Sequence, residues 1–163
     1  MLWIFFDTSA IIKRFHKEKG TEAVDRIVSS ILEGKHRGII SSLIILEFVS
    51  ALRRKVSSEE ISWREFIDTV MSFLKESTEN FSLEAVESNA YGDAVDFVIR
   101  YALLAPDSIH LASISRTTRT LEKSKFILVS ADKRLCESAE REGFRILNPE
   151  EVTSNRIDEI LRE

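Results

Sequence analysis

Trp3-Ile4-Phe5-Phe6-Asp7-Thr8-Ser9-Ala10-Ile11 sets an acid at the seam between two structural periods. Leu2 to Phe6 is an unbroken apolar run, the pattern of a strand buried on both faces of a parallel sheet. A helix opens directly behind it, so Asp7 stands at the carboxyl end of a strand where a helix begins. Phe126-Ile127-Leu128-Val129-Ser130-Ala131-Asp132 repeats that arrangement late in the chain. Gly38 to Ser41 reads as the second strand, Arg145 to Leu147 as a short edge, and a further short strand falls around Phe81. Strands of this kind alternating with segments of helical period predict an α/β chain, a parallel sheet covered by helices.

The intervening helices follow from apolar spacing. Ala23, Ile27, Ile31 and Leu32 recur after Gly20-Thr21, and Gly34 closes that helix. Ser42 to Lys55 is so apolar that most of its circumference is expected to be covered. Ser58, followed by Glu59 and Glu60, is expected to open the next helix, with the stripe Trp63, Phe66, Ile67, Val70, Phe73 and Leu74. Further helices are predicted over Leu83 to Leu104, with Gly92 as a weak point, over Pro106 to Lys123, and over Asp132 to Glu142. Neither a repeat nor a linker interrupts the pattern, which predicts one domain over residues 1–148. Residues 149–163 then form a C-terminal tail or short helix, Ser154 to Leu161, packed on the same domain.

Composition narrows the class. At 163 residues, with 44% hydrophobic and 31% charged residues but only 5 Gly and 2 Pro, the chain is neither collagen-like nor disordered. No run approaches the roughly 18 apolar residues of a membrane span, and no basic segment precedes a longer apolar stretch at the N-terminus. The expectation is a cytoplasmic protein that does not engage a membrane. Cys136, the single cysteine, offers neither a disulfide nor a thiolate zinc cage. A net charge of −4 argues against a passive nucleic-acid binder, though local basic clusters remain at Lys13, Arg14, His16, Lys17 and Lys19, at Arg53 to Lys55, and at Arg116 and Arg119.

Four acids carry the chemistry. Asp7 and Asp132, each at the end of a strand, face the crevice in which open parallel sheets bind ligands, although either alone would serve as a helix N-cap. Glu47 has Leu43, Ile44, Ser50 and Ala51 as its helical neighbours, and burying its charge costs several kcal/mol unless something compensates. Asp107 follows Pro106 at the positive end of a helix. In a parallel sheet these four converge, and such a cluster stays ionised only beside a cation. Oxygen donors without paired His or Cys point to Mg²⁺ or Mn²⁺.

Phe6-Asp7-Thr8-Ser9-Ala10, Ser42-Leu43-Ile44-Ile45-Leu46-Glu47-Phe48, Pro106-Asp107-Ser108-Ile109-His110-Leu111-Ala112 and Val129-Ser130-Ala131-Asp132 occur in this order. Together they resemble the PIN-domain family, above all its VapC-like branch of toxin ribonucleases. The likeness runs from about Leu2 to Leu147. It implies a three-layer α/β/α fold with a central parallel sheet of about five strands, and cleavage of single-stranded RNA by Mg²⁺ or Mn²⁺. Asp7, Glu47, Asp107 and Asp132 match the family's catalytic, metal-holding acids, and Ser9 and Ser130 match hydroxyls that support them. The resemblance also implies a homodimer and a small antitoxin protein as partner. That antitoxin would lie in a groove formed by the Glu47 helix and the Trp63 stripe, unless the whole stripe is core.

Against an acidic site, Lys13, Arg14 and Arg53 are the expected contacts to RNA phosphates. His110, one turn from Asp107, is read either as a structural histidine or as a donor to the acids. The segment Arg116 to Lys125 is longer than in many members of the family and bears on the local surface, not on the acids. Two other readings stay open: a housekeeping PIN nuclease maturing ribosomal or transfer RNA, and a non-catalytic PIN scaffold that binds a protein. A haloacid dehalogenase-type phosphatase would require a second Asp two residues after the first, where this chain has Ser9.

Overall fold

The computed structural model describes residues 1–119 and 122–162. In chain order the elements are β1 (Trp3–Phe6), α1 (Thr8–Phe15), α2 (Thr21–Leu32), β2 (Arg37–Ser41), α3 (Leu43–Ser57), α4 (Trp63–Asn80), β3 (Phe81–Glu84), α5 (Ala90–Tyr101), α6 (Ala105–Thr117), β4 (Phe126–Val129), α7 (Lys133–Arg141), β5 (Arg145–Leu147) and α8 (Ser154–Arg162). All five strands are parallel, in the order β3-β2-β1-β4-β5. Strand order therefore reverses at β1, and the seam between the carboxyl ends of β1 and β4 is the switch point at which such sheets open a crevice. Asp7 N–H donates to Val129 O across that seam at 3.2 Å.

The two-residue period of β1 sorts the layers. Ile4 and Phe6 join one buried cluster with side chains of α1, α2, α3, α4 and α8, while Phe5 joins the other with side chains of α5, α6 and α7. Helix α8 is held by buried Ile157 and Ile160 and by Arg26 against Asp158 at 2.8 Å. Among the described residues no single helix is long and apolar enough to cross a membrane.

The elements depart from expectation where local signals compete. Ser58 ends α3 instead of opening the next helix, because Glu59 takes a left-handed φ of 61°. The start lies four residues later, where Ser62 and Glu65 form a reciprocal capping box. The helix expected from Leu83 begins only at Ala90, since Phe81–Glu84 pairs with β2 as a strand. Helix α6 ends at Thr117, short of Lys123, and residues 120 and 121 of the Arg116 to Lys125 segment lie outside the described residues. Helix α3 is amphipathic: Ile44, Phe48 and Leu52 are buried, but Leu46 is 70% exposed.

One position is fixed by close packing. A Cβ on Gly38 would sit 2.6 and 2.8 Å from ring carbons of Phe81 and 3.0 Å from Ile31 Cδ1. Gly38→Ala is therefore expected to cost about 1–3 kcal/mol, as overpacked cores do, and to lower the midpoint of urea unfolding. An unchanged midpoint would mean that β3 is free to shift.

Candidate active site

Asp7 is buried and caps α1. Its Oδ1 accepts from Ala10 N–H at 3.0 Å and Ser9 Oγ at 2.8 Å, and its Oδ2 accepts from Ser9 Oγ and Ser130 Oγ, both at 3.0 Å. Ser130 Oγ in turn accepts from Asp132 N–H at 3.0 Å, and Ser9 Oγ accepts from Ala131 N–H at 2.8 Å. The two serines thus tie the end of β1 to the end of β4. Burial pushes the Asp7 carboxyl above its usual range, and the nearby His110 and the donors only partly offset this.

Glu47 projects from α3 into the same cleft. Its Oε2 accepts from Thr8 Oγ1 and from His110 Nε2, both at 2.6 Å, and the buried His110 ring places Nδ1 3.1 Å from Ser41 Oγ. Burial opposes the Glu47 charge, but the bond from His110, its field, the Thr8 hydroxyl and the Arg54 charge together hold the carboxyl below its ordinary value. The expected alternatives for His110 therefore merge: it is a core residue that also orients an acid. Nothing in the sequence marks Thr8 for this contact, because a hydroxyl beside Asp7 has the look of any helix-opening residue.

Asp107 lies in the first turn of α6, behind Pro106. Its carboxylate has no hydrogen-bond partner among the described residues, and burial, followed by the charges of Asp132 and Asp7, pushes it up to about 6. Asp132 caps α7, with Oδ1 accepting from Leu135 N–H at 2.8 Å. Asp7, Thr8, Ser9, Glu47, Arg54, Asp107, His110 and Asp132 all line one open cleft of about 510 Å³.

The basic residues expected at the cleft are placed differently. Lys13 is turned inward, its side chain only 4% exposed, and its Nζ donates to Glu18 at 2.8 Å and Glu150 at 2.7 Å. Arg14 is held by Asp25 and Glu76. Arg53 donates to Ser57 Oγ at 2.8 Å and lies over the Trp63 ring. None of the three lines the cleft; Arg54 does.

The donors are those of a hard cation. Mg²⁺ keeps several waters and is commonly bound through one or two carboxylates. Among the described residues no three Asp, Glu, His or Cys side chains stand close enough to hold an ion by themselves. Asp107, unpartnered and crowded by like charge, fits such a water-rich ion as a direct ligand, and Asp7, Glu47 and Asp132 fit it directly or through water.

The PIN domain family model matches residues 4–141, and the chain belongs to that family. Comparison with curated proteins found no match. The fold recurs in solved structures. PAE2754 from Pyrobaculum aerophilum is 15% identical at a TM-score of 0.61, covering 99% of this chain and 95% of its own. FitAcB from Neisseria gonorrhoeae is 14% identical at 0.59, covering 91% and 99%. VapBC2 from Rickettsia felis, solved bound to a DNA fragment from its promoter, is 10% identical at 0.53, covering 90% and 98%.

Proposed function

We propose that this chain is a metal-dependent endoribonuclease, the toxin of a toxin–antitoxin pair, acting in the cytoplasm on single-stranded RNA. PIN domains are in general nucleases that use divalent metal ions. The observation that carries the reading is the cleft itself: four carboxylates from four separate elements, one of them pushed up to about 6 with no donor to it among the described residues. When bound there, Mg²⁺ or Mn²⁺ supplies an activated water and neutralises charge developing on the phosphate. Asp107 from the first turn of α6, Asp132 from the end of β4 and Glu47 from α3 line the cleft and would hold the ion beside the phosphate. Ser9 and Ser130 hold Asp7 in one rotamer, while His110 and Thr8 do the same for Glu47, so the acids need not reorganise as the ion and substrate enter.

The toxin assignment rests on the likeness to FitAcB and VapBC2 and on surface chemistry. Leu46, Trp63, Ile67 and Met71 are all exposed beside the cleft helix, a surface suited to a small antitoxin, while Phe66 and Phe73 of the same stripe are core. Tyr91, Val95, Val98 and Ile99 form an outward stripe on α5 suited to a second copy of the chain. A housekeeping nuclease would have the same cleft but no antitoxin to cover the first surface.

Purified protein incubated with single-stranded RNA and Mn²⁺ is expected to cut it and to leave no 2′,3′-cyclic phosphate ends, because water and not the ribose hydroxyl attacks. Intact RNA under Mg²⁺ and Mn²⁺ alike would refute the reading.

A further inference from the structure

An acidic cleft repels the polyanion it is proposed to cut, so some cation must hold the strand in register. The local candidates are nearly all engaged elsewhere. Lys13 is buried between two glutamates, Arg14 is paired with Asp25 and Glu76, Arg53 with Ser57 and the Trp63 face, and Lys55 with Glu60 at 3.0 Å. Arg54 is different. It is exposed, its guanidinium has no hydrogen bond or ion pair among the described residues, and it lines the same cleft as the four acids.

Its position on α3 suits one task. Arg54 stands seven residues after Glu47, two turns along the same helix face and about 10 Å along the axis. Helical side chains lean toward the helix N-terminus, which here is toward Glu47. The Arg54 charge is already among those that lower the Glu47 carboxyl, so the two are within electrostatic reach. A planar fork of donors with nothing to bind, at the mouth of an acidic cleft, matches a phosphodiester oxygen pair.

We infer that Arg54 is the RNA-binding residue of this cleft, holding the phosphate next to the scissile one; the inference rests on the ribonuclease reading above. The competing role is purely structural. Arg54 lies in the last turn of α3, where a cation complements the helix dipole, although Lys55 beside it serves the same end.

The two roles separate in a salt series. Binding of a short fluorescein-labelled single-stranded RNA to the full chain is followed by anisotropy in Ca²⁺, with KCl from about 50 to 200 mM. Arg54→Gln is expected to raise Kd roughly tenfold. It should also flatten the log Kd against log salt slope by about 0.7, the value of one phosphate contact on a single strand. Arg54→Lys should keep the slope while losing part of the affinity. Arg156→Gln, which removes one positive charge from the exposed side of α8, should match the parent in both. In Mn²⁺ the Arg54→Gln variant should raise KM with kcat largely retained. An Arg54→Gln variant with parental Kd and slope, whatever its melting temperature, would overturn the inference while leaving the ribonuclease reading intact. A parent that neither binds nor cuts the RNA would overturn both.

Discussion

Asp132→Asn is expected to fold like the parent and to cleave RNA more than about 100-fold more slowly, since even an outer-sphere partner of a metal is worth 10–100-fold. The cap of α7 uses only Oδ1, which an asparagine reproduces, and Asn caps helices about as well as Asp. What the substitution removes is the charge facing the cleft. Asp107→Asn should show the same loss of cleavage with a gain in stability. Its carboxyl is crowded by Asp132 and Asp7, and removing the charge relieves about 1 kcal/mol at pH 7 once solvent screening of this half-buried group is allowed for. Asp7→Asn should gain less than Asp107→Asn, because relief of the buried charge is offset by the loss of one hydrogen-bond acceptor. Both its oxygens accept hydrogen bonds, and an amide nitrogen cannot accept from the Ser130 hydroxyl. Three substitutions of one chemical kind thus carry three different stability effects with one catalytic outcome, and thermal melts beside cleavage rates check them. Parental cleavage by Asp132→Asn and Asp107→Asn would make these acids helix-end residues and nothing more.

Chelation is the second large effect. In EDTA, cleavage should fall to background, and addition of Mn²⁺ should both restore it and raise the melting temperature. An ion at about 100 times its Kd contributes about 2.7 kcal/mol. The gain should depend on pH in a definite direction. Asp107 has a folded pKa of about 6 against a usual 3.8, so between these values the native state binds more protons than the unfolded chain. Ion-free stability from this group is accordingly present below about pH 4 and lost as pH rises through about 6. Asp7, also raised, acts in the same direction. Glu47 is lowered and acts oppositely, its contribution being lost as pH falls through its folded value. Mn²⁺ binds the ionised acids, so its stabilisation should grow from pH 5 to pH 7. Melts in EDTA and in Mn²⁺ across that range measure it; an equal Mn²⁺ effect at both ends would contradict the assignment of Asp107.

The parts of this fold legible in the sequence are those governed by local pattern. Strands with unbroken apolar runs, Trp3–Phe6 and Phe126–Val129, and the acids at their ends were readable because a buried parallel strand has no competing pattern. The α3–α4 junction was not. Ser58-Glu59-Glu60 carries the same residue types as a helix start, and only the left-handed backbone of Glu59 separates it from the true capping box at Ser62. Which arginine lines the cleft is hidden from the sequence for a related reason. Arg53 and Arg54 are adjacent and chemically alike, and a 100° step around α3 decides which one faces the acids. Partners from distant segments, such as Glu150 for Lys13 and Thr8 for Glu47, follow from tertiary packing that spacing along the chain does not encode.

Whether the cleft holds a divalent ion through its acids is tested most directly by Mn²⁺ uptake. Free Mn²⁺ measured by electron paramagnetic resonance, during titration of the full chain at pH 7, should show saturable uptake by the parent. Asp107→Asn, folded and at least as stable, should take up Mn²⁺ at least about tenfold more weakly. Uptake that is absent in the parent, or equal in parent and variant, would contradict the account.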